Sequence, residues 1–411
     1  MTRRSALLAA LLPAVLAAQA AKFYTYVGRL DHDSVLLAWG TATGVGNTIG
    51  RESQSHGKAT VTVGEKREET EKNWVEVKGL KPDTVYPYEV RVGARTVGKG
   101  QVRTWPEEAQ RLTFMVIGDY GNGSRGQRLL AEAMTKEFQK RQNSADPVRF
   151  VITTGDNIYG QFRVFGLRNT GDDDGDWKSK FFEPYEKIIE SVPFYATLGN
   201  HDGNQSEARG DLREYLDNFF FPGGDKSRYY KFTYGKFAEF FALDSSDNTA
   251  EGRSEPIYMP DSEQSGWLKR EMGDRGKLAW RIAYFHHPPF TAGPRHPPSR
   301  ETLGHWMEQF KRGGVQAVFT GHEHNLQFSE VNAKTEGILY VVTGSGGELR
   351  SGNVLRDMEA ANIAAWSPQR QFLVVEADAT AMRITPVSYE PLRVVNGKGQ
   401  PVKMPVVLTR K

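Results

Sequence analysis

The 411-residue chain contains no cysteine, and this absence removes several kinds of chemistry at once. Disulfide bonds, thiolate metal sites and a cysteine nucleophile are all excluded. A metal ion bound by this protein must therefore be held by nitrogen and oxygen donors.

An excess of charge of either sign is also missing. The 53 Lys and Arg residues nearly balance the 50 Asp and Glu residues, which leaves a formal net charge of +3. A nucleic-acid binder normally carries a basic patch or stripe, so we expect no nucleic-acid partner. Hydrophobic residues make up 38% and charged residues 25%, as in a soluble globular protein. The length favours two or three domains.

Long apolar runs are confined to the start of the chain. Residues 1–21 combine a basic beginning (Arg3, Arg4), an apolar stretch from Ala6 to Ala18 and small residues at Ala18-Gln19-Ala20. This pattern predicts a cleaved signal peptide rather than a first core helix. The Arg3-Arg4 pair also permits a twin-arginine signal, so the general secretory and twin-arginine routes both stay open. We expect an exported protein, periplasmic or extracellular, that does not span a membrane after cleavage.

Residues 22–105 are predicted to form an all-β sandwich domain. Short segments of alternating hydrophobicity are separated by Gly, Asn, Asp and Pro turns, and they cover residues 34–39, 59–63, 74–77 and 85–92. The stretch Leu80 to Tyr86 resembles the turn before the tyrosine corner of fibronectin type III domains, with Trp39 as the buried strand tryptophan. Domains of that type are mostly packing or adhesion modules, so we assign no chemistry to this one.

The hydrophobic period changes after the polar break at residues 105–108. From residue 109 to 395, strands alternate with helices, which predicts βαβ units in a two-sheet core. Residues 396–411 are interpreted as a C-terminal tail. The helices are expected near residues 126–142, 180–190, 262–272 and 301–312, and the strands near 112–118, 149–154, 192–198, 279–285, 317–320, 339–343, 372–376 and 382–387, with a hairpin at 229–243.

Five of these strands end in polar residues that suit a metal site. Open α/β sheets collect their ligands at the carboxyl edge, so these ends are expected to converge. Two carboxylates, an amide, a phenol and three imidazoles could surround two metal ions, with one carboxylate bridging. The five strand ends read Asp119-Tyr120-Gly121, Gly155-Asp156-Asn157-Ile158-Tyr159, Gly199-Asn200-His201-Asp202, Ala283-Tyr284-Phe285-His286 and Gly321-His322-Glu323-His324.

In this order the five blocks resemble those of the metallophosphoesterases, and more narrowly those of the purple acid phosphatases: DxG, GDxxY, GNHD or GNHE, VxxH and GHxH. The resemblance extends from Leu112 to Gly347 and departs only at Ala283, where the fourth block has Val. It implies an α/β fold, a two-sheet α/β/β/α sandwich. The narrower assignment depends on Gly121, where general metallophosphoesterases carry His, and on Tyr159.

The resemblance also implies a ligand set for a binuclear centre. The first ion, Fe(III), would bind Asp119, Asp156, Tyr159 and His324. The second, divalent Fe, Zn or Mn, would share Asp156 as a bridge and bind Asn200, His286 and His322. A ferric phenolate at Tyr159 would give the violet colour for which the family is named.

The implied activity is that of a secreted acid phosphatase acting on small phosphate monoesters. A metal-bound hydroxide would attack phosphorus, so no phosphoenzyme is expected. His201 would orient the phosphate or protonate the leaving oxygen, and Asp202 would orient His201. Substrate-rim positions are assigned to Tyr120, His287, His296 and Asn325. The loop 160–176, with its run Asp172–Asp174, is interpreted as a solvated surface rather than a cation site.

Two alternatives remain. A phosphodiesterase or 5'-nucleotidase of the same superfamily would use the same ligands on a different ester. A non-catalytic binding or adhesion protein would use the β-sandwich as its functional part, but that reading requires lost ligands, and every expected ligand is in the sequence. The oligomeric state is left open.

Overall fold

The computed structural model describes residues 22–41, 56–159, 177–204, 212–223, 227–246, 257–273, 278–300, 302–350 and 357–410. The predicted signal peptide, residues 1–21, and the acidic loop, residues 160–176, lie outside these ranges. Within the described residues, no helix is both long and apolar enough to cross a bilayer.

The N-terminal region is an all-β sandwich, as predicted. Its two sheets have the strand orders β1-β2-β5 and β4-β3-β6-β7, and all the pairings are antiparallel. The three strands that the alternating pattern did not identify are β1, β4 and β7. The strands are β1 (Phe23–Leu30), β2 (Ser34–Thr41), β3 (Ala59–Val63), β4 (Lys66–Thr70), β5 (Trp74–Lys78), β6 (Val85–Val92) and β7 (Arg95–Arg103).

The turn before β6 has the geometry of a tyrosine corner. The backbone N–H of Lys81 donates to the phenol oxygen of Tyr86 at 2.8 Å, a bond from a strand tyrosine to the backbone a few residues upstream. Trp39 on β2 is buried, with 1% of its surface exposed. Both features were expected from the sequence, whereas the narrower fibronectin type III assignment stays a prediction.

The second region contains two larger sheets. One has the order β10-β9-β8-β18-β19-β20 and the other β11-β12-β13-β14-β16-β15-β17. Parallel pairing joins β8, β9 and β10 in the first sheet and β12, β13, β14 and β16 in the second. The strands are β8 (Arg111–Ile117), β9 (Val148–Thr153), β10 (Phe194–Tyr195), β11 (Tyr230–Tyr234), β12 (Ala238–Ala242), β13 (Trp280–Tyr284), β14 (Ala317–Thr320), β15 (Leu326–Ser329), β16 (Leu339–Thr343), β17 (Ile363–Ser367), β18 (Phe372–Asp378), β19 (Ala381–Val387) and β20 (Val406–Thr409).

The core between these sheets is built from aromatic rings. Phe114 and Phe150 of the first sheet meet Phe240 of the second edge to face, with ring centroids 5.2 and 5.1 Å apart. Edge-to-face pairs of this kind add about 0.5–1.5 kcal/mol to the burial of the rings. The two sheets therefore pack face to face around one hydrophobic layer.

Helices cover the outer faces. Leu130, Met134 and Phe138 of α1 are buried beside β9, and Trp306 of α6 packs on Phe285 with ring centroids 5.4 Å apart. The predicted α/β/β/α sandwich is confirmed. The helices are α1 (Arg125–Gln142), α2 (Glu183–Ile189) after a π-helical turn (Lys178–Phe182), α3 (Asn200–Asn204), α4 (Arg213–Asn218), α5 (Glu263–Glu271), α6 (Gly304–Gly313) and a 3₁₀ turn (Ala333–Thr335).

Two predicted boundaries are wrong. The apolar run 192–198 forms a strand only at Phe194–Tyr195, which pairs with β9 and is the edge of the first sheet among the described residues. The segment 396–411 is not a separate tail, since Val406–Thr409 pairs antiparallel with β19 and forms the edge of the first sheet.

Trp105 joins the sandwich to the second region. It lies at the expected domain boundary, yet only 3% of its surface is exposed, because its ring packs against Phe150, Tyr195 and Tyr234. Nearby, the guanidinium of Arg149 lies 2.9 Å from Asp83 of the sandwich. The two regions are therefore in direct contact.

Candidate metal centre

The predicted site residues meet at the carboxyl edge of the two sheets. Asp119 follows β8, Asp156 follows β9, His286 follows β13, and His322 and His324 follow β14. Asn200 is the first residue of α3, five residues beyond β10. Parallel strands bring their carboxyl ends to one edge, so the topology gathers residues up to 205 positions apart in the chain, the separation of Asp119 and His324.

The first group of side chains surrounds the phenol oxygen of Tyr159. That oxygen lies 3.1 Å from Oδ1 of Asp119, 2.8 Å from Oδ2 of Asp156 and 3.2 Å from Nε2 of His324. All four side chains are buried. The structure thus brings together all four residues predicted for the first ion.

The second group lies on the other side of Asp156. Nε2 of His286 is 3.4 Å from Oδ2 of Asp156, 3.0 Å from Oδ1 of Asn200 and 3.2 Å from Nδ1 of His322. The same oxygen of Asp156 therefore faces both groups. This carboxylate could therefore bind an ion on each side.

Three of these residues have a left-handed backbone conformation, which directs their side chains toward the site. The φ angles of Asp119, Asp156 and His322 are 54°, 49° and 68°. Each such conformation costs about 1–3 kcal/mol in a non-glycine residue and persists only where the surroundings enforce it. Here the N–H of Asp119 donates to the carbonyl of Gly155 at 3.1 Å, and the N–H of His322 donates to the Asp119 carboxylate at 3.0 Å.

Gly121 explains why the first block offers no histidine. A Cβ atom at this position would overlap the carbonyl oxygen of Asn157, so no larger side chain fits without a shift of the backbone. The Gly121 carbonyl instead accepts a hydrogen bond from the N–H of Tyr159 at 2.8 Å. The close approach that excludes a side chain at position 121 therefore also fixes the backbone of Tyr159.

Burial and charge oppose each other throughout the cluster. Burial raises the pKa of Asp119 above its ordinary value and lowers that of His322 below its ordinary value. Burial would also lower the pKa of His286, but the carboxylates of Asp156 and Asp119 raise it to about 9. Buried carboxylates are normally paired with positive charge, which bound metal ions could supply here.

The donor set fits metal ions. Carboxylate, phenol, amide and imidazole groups are the oxygen and nitrogen ligands that Fe, Zn and Mn accept. Two triads of side chains, Asp119-Asp156-His324 and His286-His287-His322, each have their ligand atoms within 4.8 Å of one another. The residues present therefore suit a centre with two ions.

His287 lies deeper than the predicted substrate rim. It belongs to the second of these triads, its Nδ1 lies 3.0 Å from the hydroxyl of Ser245, and its ring centroid is 4.3 Å from that of His322. His296 is partly exposed, and its ring centroid is 3.8 Å from that of His322. Its role as a rim residue stays a prediction.

Two other rim predictions are wrong. Tyr120 is fully buried, and its hydroxyl donates to Oδ1 of Asn157 at 2.9 Å. Asn325 is 4% exposed, and its Oδ1 accepts a hydrogen bond from Gln327 at 2.8 Å. Both residues directly follow a predicted ligand in the sequence, but their side chains are buried within the protein.

His201 lies beside the first group. Its ring centroid is 4.6 Å from that of Tyr159, and its backbone N–H donates to Oδ1 of Asp156 at 2.8 Å. The side chain is partly exposed, which suits a group that meets a substrate.

Asp202 does not have the predicted role of orienting His201. Its Oδ1 accepts from the N–H groups of Asn157 and Ile158 at 2.9 and 3.2 Å, and its Oδ2 accepts from Gly199 N–H at 2.8 Å and the Asn157 side chain at 3.0 Å. Four hydrogen bonds thus tie Asp202 to the two loops that carry Asp156 and Asn200. It fixes the backbone of these loops.

One segment of the site, residues 344–350 after β16, was not predicted from the sequence. The N–H groups of Gly347 and Glu348 donate to the Asp119 carbonyl at 2.9 and 3.0 Å, and Arg350 reaches His296. The available signal was that β16 is another strand ending at the same edge, followed by Gly344-Ser345-Gly346-Gly347.

Comparison with known proteins identifies the family. Residues 112–326, more than half of the chain, match the sequence profile of the family described as Calcineurin-like phosphoesterase. The chain belongs to the calcineurin-like phosphoesterase family. The predicted family resemblance is confirmed.

Relatives of this calcineurin-like phosphoesterase are acid phosphatases. The chain is 26% identical over 257 residues to mouse (Mus musculus) tartrate-resistant acid phosphatase type 5, a match that covers 57% of this chain and 72% of the relative. Family membership together with such relatives confirms the prediction of a metal-dependent phosphatase.

Two solved structures share the fold. PhoD aligns with a TM-score of 0.67 at 17% identity, covering 93% of this chain and 92% of its own. The purple acid phosphatase PPD1 from yellow lupin (Lupinus luteus) aligns with a TM-score of 0.66 at 14% identity, covering 94% of this chain and 74% of its own. Both alignments include the N-terminal β-sandwich as well as the phosphoesterase domain.

Proposed function

We propose that this phosphoesterase is an exported acid phosphatase that hydrolyses small phosphate monoesters at a binuclear centre. The observation that carries the proposal is the position of Tyr159, whose phenol oxygen lies within 3.2 Å of Asp119, Asp156 and His324. A phenol among buried carboxylates and imidazoles suits a hard trivalent ion such as Fe(III). The acid phosphatases among its relatives support the same substrate class.

The residues divide between the two ions as the geometry groups them. Asp119, Asp156, Tyr159 and His324 would hold Fe(III), and Asp156, Asn200, His286 and His322 would hold a divalent Fe, Zn or Mn ion. The ions would supply an acidified water as nucleophile and positive charge for the phosphate oxygens.

The chain's own residues complete the reaction. His201, partly exposed beside Tyr159, is placed to hydrogen-bond the phosphate and to protonate the leaving oxygen. Asp202 keeps the loops of Asp156 and Asn200 in register through its four hydrogen bonds. Neither residue forms a covalent bond to phosphorus in this scheme.

Paired substrates test the activity. Enzyme loaded with iron and zinc is assayed in mildly acidic buffer on para-nitrophenyl phosphate and on bis-para-nitrophenyl phosphate, which differ by one ester bond. We expect kcat/KM for the monoester to exceed that for the diester by at least about tenfold, which is a difference of about 1.4 kcal/mol in transition-state binding. A preference for the diester would favour the phosphodiesterase alternative, and no turnover of either would favour a binding protein.

A further inference from the structure

Arg350 lies at the edge of the candidate metal centre, on a loop that backbone hydrogen bonds hold in place. The loop follows β16, and the N–H of Gly346 donates to the carbonyl of Gly118 at 2.9 Å. The N–H groups of Gly347 and Glu348 bond the carbonyl of Asp119. A Cβ atom on Gly347 would overlap the carbonyl of Tyr120, so the close approach requires glycine there. The backbone that carries Asp119 therefore also positions the loop of Arg350.

The guanidinium of Arg350 reaches the rim histidine. Its Nη2 lies 2.7 Å from Nε2 of His296, whose ring lies over His322 at 3.8 Å between centroids. An arginine can only donate, so Nε2 of His296 accepts and the ring proton is on Nδ1. The His296 ring thus lies between Arg350 and His322, a predicted ligand of the second ion.

Most of the donors of Arg350 have no acceptor among the residues that the structure describes. The guanidinium has five N–H groups, and within the described residues one hydrogen bond engages it. Its Nε is buried and has no partner in the described part of the chain. A buried donor without an acceptor costs about 1–3 kcal/mol, so the guanidinium is incompletely satisfied by the described residues. The side chain as a whole is partly exposed, which leaves its other donors open to a ligand.

Two carboxylates near Arg350 have other hydrogen-bond partners, although Oε1 of Glu323 has none within the described residues. Oε2 of Glu323, a fully buried residue, accepts the backbone N–H of His296 at 3.0 Å and so fixes the turn that carries the rim histidine. Oε1 of Glu348 accepts from the Asn122 side chain at 3.0 Å. Arg295, which is exposed, adds a second positive charge near Arg350. Arg350 and Arg295 therefore place two positive charges near the rim histidine.

We propose that Arg350 is a specificity-determining residue that binds a second negative charge on the substrate. The inference rests on the proposed function. Because His296 stands between Arg350 and His322, the guanidinium faces the alcohol part of a bound ester rather than the phosphate between the ions. The planar fork of arginine fits a carboxylate or a phosphate with two parallel hydrogen bonds. The preferred substrates are monoesters whose alcohol carries a carboxylate or another phosphate.

The test uses two substrates that differ by this charge. Glycerol 3-phosphate and 3-phosphoglycerate share the phosphate and the three-carbon frame, but only the second has a carboxylate at the far carbon. We expect the wild-type enzyme to prefer 3-phosphoglycerate in kcat/KM, mainly through KM. In Arg350→Gln this preference should fall by about tenfold, the size of a lost hydrogen bond to a charged group. Both rates come from one preparation, so an unfolded fraction cancels in their ratio.

Two further variants sharpen the result. Arg350→Lys keeps the charge and should retain a larger part of the preference than Arg350→Gln. Arg295→Gln removes the exposed neighbouring charge and should lower the preference less than Arg350→Gln does. An unchanged ratio in Arg350→Gln, or an equal loss on both substrates, would overturn the inference. Wild-type enzyme that releases phosphate from neither monoester would instead refute the proposed function, and the inference with it.

Discussion

At the scale of single residues, the site depends on where each side chain points. Sequence analysis placed Tyr120 and Asn325 at the rim because each lies next to a ligand, yet both are buried behind the site. It paired Asp202 with His201 because they are adjacent, but the carboxylate turns to Asn157 and Gly199. A residue next to a ligand in the chain lies near the site, but the local backbone conformation decides where its side chain points. The predicted ligands come together because each one follows a strand.

His201 gives a prediction at this scale. Replacing His201 with Ala should leave the metal content intact, since the Asp156 carboxylate is reached by the backbone N–H of residue 201 and not by the ring. Loss of a general acid slows poor leaving groups most, by about 10²–10⁴-fold. We therefore expect glycerol phosphate hydrolysis to fall much further than para-nitrophenyl phosphate hydrolysis. Equal losses on both esters, measured with metal-analysed protein, would assign His201 to phosphate binding alone.

At the scale of elements, hydrophobic periodicity predicted the strands that end at the site and several others. It missed β4, a strand made of Lys66, Arg67, Glu68, Glu69 and Thr70, because an exposed edge strand needs no apolar face. It missed β20 because only four residues pair, with two of them half-buried. Arg350 was not predicted for a different reason: it is the seventh residue after the end of β16, and an arginine in a loop is usually solvated.

The contact between the first two strand ends gives a prediction at the element scale. Gly121→Ala would place a methyl group on the Asn157 carbonyl and push the Asp119 loop away from the Asp156 loop. We expect the free energy of unfolding to fall by about 1–3 kcal/mol and metal content to decrease. Urea unfolding monitored by tryptophan fluorescence measures the first effect.

Gly304→Ala is the matched control, since a Cβ atom there meets nothing within 4 Å and the residue begins helix α6. Its stability should stay the same or rise by up to about 1 kcal/mol. If Gly121→Ala unfolds at the same urea concentration as Gly304→Ala and keeps its metal, the steric account of residue 121 is wrong.

At the scale of the whole molecule, the break near residue 105 marks a change of architecture and also a point of attachment. Trp105 is buried among aromatic rings of the phosphoesterase domain, and Tyr88 of the sandwich donates to the Glu190 carbonyl at 2.7 Å. Sequence analysis found the boundary from its polar residues but gave no sign of this packing, because contacts between domains leave no periodic pattern.

Export is the prediction that belongs to the whole chain. The basic start, the apolar stretch and the small residues at Ala18 and Ala20 lead us to propose cleavage before residue 22. Mass spectrometry of protein recovered outside the cytoplasm should show a mature chain that lacks this segment. Changing Arg3 and Arg4 together to Lys should block export by the twin-arginine route and leave general secretion working. Cytoplasmic protein with an intact N-terminus would contradict export by either route.

The central claim is that Tyr159 is a phenolate ligand of a ferric ion, and the visible spectrum of the iron-loaded, oxidised protein tests it most directly. The wild type should absorb broadly in the visible region through Fe(III)-phenolate charge transfer. Tyr159→Phe keeps the ring and its packing but removes the oxygen that lies 3.1 and 2.8 Å from the two carboxylates, so the band should disappear while iron remains bound through Asp119, Asp156 and His324. A colourless wild type with bound iron, or an unchanged band in Tyr159→Phe, would contradict the account.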